Sequence, residues 1–156
     1  MIEIERKFLV TSTSFKGEAY KVERIIQGFL NRDPERTVRV RLHNDNGVLT
    51  VKGLSSEDGL KRFEWEKEIS KKDAKALFEF CEKGVIDKLR YKVKVKDHIF
   101  EVDEFFGDNE GLIIAEIELN HEDEVFEKPD WLGKEVTGQT RYYNSQLSKE
   151  PFKLWQ

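Results

Sequence analysis

Residues 2 to 10 read Ile2-Glu3-Ile4-Glu5-Arg6-Lys7-Phe8-Leu9-Val10, and how this run is read decides the fold. Ile2, Ile4, Phe8 and Val10 stand at alternate positions, the period of a strand rather than of a helix. Glu3, Glu5 and Lys7 therefore project from the opposite face, successive ones about 7 Å apart. Two carboxylates at that spacing can converge on one hard cation, and the ammonium beside them can hold a phosphate oxygen. The same residues also suit a plain solvated face, because Glu and Lys populate most exposed strand surfaces.

The alternation recurs along the chain. Residues 20–30 form a second strand containing Gln27-Gly28-Phe29, which Asn31-Arg32-Asp33-Pro34 breaks. In residues 37–43 Arg39 and Arg41 oppose Val38, Val40 and Leu42, and Asn44-Asp45-Asn46-Gly47 signals a hairpin. The return strand, 48–54, sets Thr50 and Lys52 against Leu49 and Val51. Residues 60–69 set Arg62, Glu64, Glu66 and Glu68 against Phe63, Trp65 and Ile69. Residues 85–96 set Lys88, Arg90, Lys92, Lys94 and Lys96 against Leu89, Tyr91, Val93 and Val95. Glu101 and Asp103 occupy one face of 98–106, and Glu116 and Glu118 one face of 112–119.

The period changes in residues 70–83. Ser70 with Asp73 makes a capping box, Ala74, Leu77, Phe78 and Cys81 form a helical stripe, and Gly84 supplies a stop. Cys81 on that stripe reads as a core residue rather than a nucleophile. Residues 11–17 read as a polar loop, and a short helix is expected near 141–148. Eight strands joined mostly by short turns predict a mainly β (α+β) domain, an antiparallel sheet large enough to close into a barrel with a few flanking helices. At 156 residues, one domain spanning 1–156 is expected.

Charged residues make up 37% of the chain, against about 25% in an average domain, yet Lys+Arg 27 and Asp+Glu 31 leave a net charge of only -4. That balance argues against a general nucleic-acid binder. The single cysteine excludes a disulfide or a thiolate cluster within one chain. No apolar run approaches a membrane span and the first residues alternate, so a cytoplasmic protein with no membrane partner is expected.

The two signs of charge are sorted by strand. Acids mark the strands of Glu3, Glu64, Glu101 and Glu116, and bases those of Arg39, Lys52 and Lys88, whereas ordinary surfaces intersperse them. Two arrangements fit. In one, apolar faces fill the barrel and the charges meet water; in the other, the apolar faces point outward under helices and termini, and the charges line a wet tunnel. A dry charged lumen is excluded, since each buried unpaired ion costs several kcal/mol. Basic walls facing paired carboxylates match a polyanion held with its divalent metal. The pattern alone favours the first arrangement.

A resemblance reverses that order. Glu3-x-Glu5-x-Lys7 resembles the N-terminal signature of the CYTH family, the triphosphate tunnel metalloenzymes. Arg39-x-Arg41, Thr50-Val51-Lys52, Glu64-x-Glu66, Lys88-x-Arg90, Glu101-x-Asp103 and Glu116-x-Glu118 follow in the order that family shows. Glu135-Val136-Thr137-Gly138 and Arg141-Tyr142-Tyr143-Asn144 are similar to the C-terminal end of its short bacterial members. The resemblance implies a closed tunnel of eight antiparallel strands that binds a small-molecule triphosphate with Mg2+ or Mn2+. It implies Glu3, Glu5, Glu116 and Glu118 as the principal metal-site carboxylates, with Glu64, Glu66 and Asp103 as further acids near the metals. Arg39, Arg41, Lys52, Lys88 and Arg90 would hold phosphates, and Lys7 would be catalytic. Short bacterial members often carry Tyr after Gln-Gly in the second strand, its hydroxyl acting with the motif lysine on water. Here that residue is Phe29. Lys7 alone, or a metal-bound water relayed through a carboxylate, remains for that task.

The expected function is a metal-dependent hydrolase of triphosphate compounds, with inorganic tripolyphosphate as substrate. The alternatives are a class IV adenylyl cyclase and a polyphosphate- or nucleotide-binding module without turnover. A homodimer is compatible with all three.

Overall fold

The computed structural model of the protein describes residues 1–155. Its strands are β1 (Ile2–Val10), β2 (Lys21–Asn31), β3 (Arg36–His43), β4 (Asn46–Gly53), β5 (Lys61–Ile69), β6 (Ile86–Val95), β7 (His98–Phe105), β8 (Ile113–Leu119) and β9 (Leu132–Glu135). The helices are α1 (Phe15–Glu18), α2 (Lys71–Phe78) and α3 (Asn144–Lys149). The order β5-β4-β3-β2-β6-β7-β8-β1 closes on itself, because β1 also pairs with β5. Every pairing is antiparallel, so the predicted eight-stranded barrel is the one observed, with β9 added.

Closure is achieved by dividing one edge of β1. Its beginning pairs with β5 through Ile2↔Phe63 and Ile4↔Lys61, and its end pairs with β9 through Phe8↔Glu135. Between these partners the backbone N–H of Glu5 donates to the Leu60 carbonyl at 3.0 Å, and that of Val136 to the Lys7 carbonyl at 2.8 Å. Lys7 thus sits at the seam where the wall changes partner.

The apolar faces point outward, the second of the two arrangements. Phe8, Tyr91, Val93, Phe100, Val102, Ala115 and Ile117 form a buried cluster on the outside of the barrel, roofed by Phe15 of α1 and by Trp131. Phe15 meets the rings of Tyr91 and Trp131 edge to face at 5.3 and 5.8 Å. Burying a side chain of that size contributes about 2–3 kcal/mol, which explains why so short a helix forms. Residues 11–17 are therefore not simply a polar loop; Phe15 was the one apolar signal in that stretch.

A second cluster plugs one end of the barrel. Phe29, Ile86, Phe105, Leu112, Ile114 and Leu147 of α3 are buried there, with Tyr142, Phe152 and Trp155 packed against them. The expected C-terminal helix thus starts at Asn144, behind a 3-10 turn over Thr140–Tyr142. The helix expected over 70–83 ends at Phe78, because the chain turns so that the N–H of Glu82 reaches the Phe29 carbonyl at 2.8 Å. Cys81, half-buried, lies on Gly28, where a Cβ would stand 2.9 Å from its Sγ. No helix among the described residues is long and apolar enough to cross a membrane.

Candidate active site

With the apolar faces outside, the alternating charges converge inside. A cavity is lined by Lys7, Arg39, Lys52, Arg62, Lys88 and Arg90 among the cations and by Glu3, Glu5 and Glu116 among the acids. Phe29, Thr37, Tyr143 and Asn144 complete much of the wall. The opposite end of the barrel reaches solvent past Lys92, Ile99, Glu101 and Glu118.

Each cation is held by neighbours rather than left mobile. Arg90 grips Asp103 with two parallel bonds, Nε to Oδ1 at 2.8 Å and Nη2 to Oδ2 at 2.9 Å, and Lys88 Nζ lies 2.8 Å from the same Oδ2. Burial alone would raise Asp103, but Arg90 and Lys88 outweigh it and bring its pKa down to about 2. Burial brings Lys88 down to about 8 against the pull of Asp103. Lys52 Nζ stands 3.2 Å from Glu3 and 3.5 Å from Glu64. Arg39 donates to Thr50 Oγ1 at 3.3 Å, and Thr50 donates to Glu66 at 2.9 Å. Arg41 reaches Glu66 at 3.3 Å. Burial, with Arg39 and Arg90 close by, pushes the pKa of Arg41 down, a strain that an anion would relieve. The Nε atoms of both Arg39 and Arg41 are buried without a partner among the described residues.

The acids are short of positive charge. Burial, reinforced by a hydrogen bond shared with Glu64, raises Glu3 to about 7, with Lys52 pulling the other way. Burial and then the charges of Glu116 and Glu3 push Glu5 well above the carboxylate range. Glu116, despite burial, is held low by Lys7, Arg90 and Lys88. Glu64 Oε2 is buried without a hydrogen-bond partner. An all-oxygen donor set with excess negative charge fits a hard cation. No three of these carboxylates converge into a ready-made cage among the described residues.

Lys7 Nζ lies 3.0 Å from Glu116 and 5.2 Å from the centre of the Tyr143 ring. Burial would lower its pKa, but Glu116 and Glu5 together raise it. The charged ammonium is thus the form that these neighbours favour. Phe29 is 2% exposed and packs in the plug while lining the cavity, a packing role.

The structure separates the expected site residues into shells. Glu3, Glu5, Lys7, Arg39, Lys52, Lys88, Arg90 and Glu116 border the cavity itself. Arg41, Glu64 and Glu66 stand in the adjoining wall. Glu118 lies opposite Glu5 on β8 but opens toward the solvent-facing mouth. Asp103, expected near the metals, has both oxygens engaged by Arg90 and Lys88 and does not line the cavity; it anchors cations instead. Arg62, Tyr143 and Asn144 also line the cavity, although the sequence reading assigns them no site role. Alternation places Arg62 on the strand face of Glu64 and Glu66; Tyr143 and Asn144 stand outside any strand.

Two glycines bring loops together over the seam at Lys7. Gly59 (φ +77°) and Gly138 (φ +79°) touch so closely that a Cβ on Gly59 would lie 2.3 Å from the Gly138 Cα. Only glycine fits there.

A closed antiparallel barrel whose lumen carries the charges, with cations facing a cluster of acids, makes a charged tunnel. The chain belongs to the CYTH domain family, whose model matches residues 1–151. It is 52% identical over 152 residues to an inorganic triphosphatase of Acetivibrio thermocellus, covering 97% of this chain and 96% of that one. It is 38% identical to an inorganic triphosphatase of Nitrosomonas europaea, covering 95% of this chain and 97% of that one. The crystal structure of the inorganic triphosphatase NE1496 superposes with a TM-score of 0.67 at 33% identity, covering 94% and 93% of the two chains.

Proposed function

We propose that this protein hydrolyses inorganic tripolyphosphate to pyrophosphate and phosphate with the help of a divalent cation, Mg2+ or Mn2+. The observation that carries the reading is the cavity wall, where Lys7, Arg39, Lys52, Arg62, Lys88 and Arg90 surround one space and Glu3, Glu5 and Glu116 gather on one side of it. Two relatives that match this chain over nearly their full lengths bear the name inorganic triphosphatase, in agreement with that reading.

Glu3, Glu5 and Glu116 would hold the cation, with Glu64 and Glu118 at its margin. When bound, it supplies Lewis-acid polarisation of phosphate oxygens. Arg39, Arg41, Lys52, Lys88 and Arg90 hold the phosphates, arginine by paired N–H donors and lysine as a point charge. Charge in phosphoryl transfer spreads over the transferred group and the leaving oxygen, so cations already in place stabilise it without reorganising. Lys7, kept charged by Glu116, contributes to that stabilisation. Asp103 and Glu66 keep the cations aimed between turnovers.

The test is a substrate panel of tripolyphosphate, pyrophosphate, ATP and thiamine triphosphate with Mg2+ or Mn2+, products identified by phosphorus NMR. Tripolyphosphate should turn over fastest, and ATP, more slowly, should give ADP and phosphate. Cyclisation needs base and ribose gripped so that the 3′-hydroxyl lies in line with the α-phosphorus, whereas this wall is lined mainly by groups that grip phosphate. Cyclic AMP with pyrophosphate as main products would overturn the hydrolase reading. Tight tripolyphosphate binding without turnover of any compound would replace it with a binding module.

A further inference from the structure

We infer that Asn144 is a substrate-contacting residue, its side-chain Nδ2 donating a hydrogen bond to a phosphate oxygen beside Lys88, and that Gln27 positions it. The inference rests on the reading of the cavity as a tripolyphosphate site. Lys88 Nζ lies 2.9 Å from Asn144 Oδ1, and Gln27 Nε2 lies 2.7 Å from the same atom. An ammonium has only donors, so the atom facing Lys88 must be the amide oxygen. With that oxygen fixed, the Gln27 atom facing it must be the NH2 group. The orientation of the Asn144 amide is thus set by chemistry rather than by choice.

The consequence is where Nδ2 points. Oδ1 is occupied by two donors on the plug side, while Nδ2 has no acceptor among the described residues, and Asn144 lines the cavity. Asn144 is the first residue of α3, one position past its N-cap Tyr143, so it does not stand at the capping position. Gln27 is fully buried, and its Oε1 has no partner. An uncompensated polar atom in the barrel wall is retained where its other half does something, and the Gln27 NH2 holds the Asn144 oxygen in place. The amide therefore presents one neutral donor to the cavity next to the Lys88 charge. A phosphate oxygen is the acceptor that such a pair suits.

The experiment compares tripolyphosphate kinetics at saturating divalent cation for the parent, Asn144→Asp and Gln27→Met, with melting temperatures as a folding control. Asn144→Asp keeps the acceptor shared by Lys88 and Gln27 but replaces the free donor with a second carboxylate oxygen. KM should rise at least 30-fold with the melting temperature nearly unchanged. Gln27→Met should raise KM several-fold with a smaller change in kcat, because the amide is freed rather than removed. If Asn144→Asp fails to fold, Asn144→Ala is measured by calorimetric tripolyphosphate binding, with a loss of tenfold or more expected. A folded Asn144→Asp variant with KM within twofold of an active parent would overturn the inference and leave the tripolyphosphate reading intact. So would parent-like affinity in Asn144→Ala. A parent that neither binds nor cleaves tripolyphosphate would overturn both.

Discussion

Lys88 and Asp103 face each other on neighbouring strands with Nζ 2.8 Å from Oδ2, and their side chains are only 2% and 3% exposed. Removing one partner of a buried pair leaves an uncompensated charge and costs about 3–5 kcal/mol. Asp103→Asn leaves two cations, Lys88 and Arg90, facing each other without their shared counter-ion. The ligand-free variant should melt about 10 °C below the parent, given about 2–4 °C per kcal/mol for a chain of this size. Tripolyphosphate should recover more of the melting temperature in the variant than it adds to the parent. Thermal denaturation with and without the anion checks this, and equal ligand-induced shifts would mean that Asp103 does not balance the phosphate-binding cations.

Arg39→Ala should weaken tripolyphosphate binding by one to two decades, the equivalent of about 1.5–3 kcal/mol for a charged hydrogen-bonded contact. Its buried Nε lacks a partner in the ligand-free protein, so its loss should cost little stability. Isothermal titration beside a melting curve separates the two effects. Unchanged affinity would place the guanidinium outside the phosphate site.

The two carboxylates of the last barrel strand should differ. Glu116 borders the cavity and contacts Lys7, whereas Glu118 opens to the mouth. Glu116→Gln should abolish measurable turnover at any Mg2+ concentration. Glu118→Gln should instead require roughly tenfold more Mg2+ for half-maximal rate, the size of effect a group at the margin of a metal site has. Metal titrations of initial rate distinguish them; identical curves for the two variants would show that their different depths do not matter.

His43 gives the fold an acid limit. Burial, and then the charges of Arg41 and Arg90, lower its pKa to about 4, against the opposing pull of Glu23. The unfolded chain takes up this proton near pH 6.5. Above that pH the group is neutral in both states and contributes nothing. As pH falls from 6.5 toward 4 the unfolded state gains the proton first, so stability is lost through that window, by about 3 kcal/mol at most. Other groups titrate there too, so the difference between parent and His43→Gln is the quantity to measure by urea denaturation. That difference should shrink as pH falls from 7 to 4. A constant difference would remove His43 as the cause.

Alternation along each strand was legible in the sequence because a side-chain period of two survives any choice of tertiary arrangement. It located the eight barrel strands to within a residue or two and sorted Glu3, Glu5, Lys7, Arg39, Lys52, Lys88, Arg90 and Glu116 onto one set of faces. It could not say which set pointed inward. That depends on whether something covers the apolar set, and the cover is made of Phe15, at the start of a one-turn helix, and Trp131, in an irregular segment, neither with a periodicity to read. β9 was invisible for a related reason: four residues including Gly133 form a strand only because β5 leaves the edge of β1 after Ile4. Distance in the chain hid the rest. The family resemblance implies Asp103 as an acid near the metals, and only the antiparallel register shows that it stands opposite Arg90. Asn144 is remote from Gln27 and Lys88 in sequence, and no local pattern links them; they meet because α3 folds back and packs Leu147 against Phe29, Ile86, Phe105 and Ile114 at the end of the barrel.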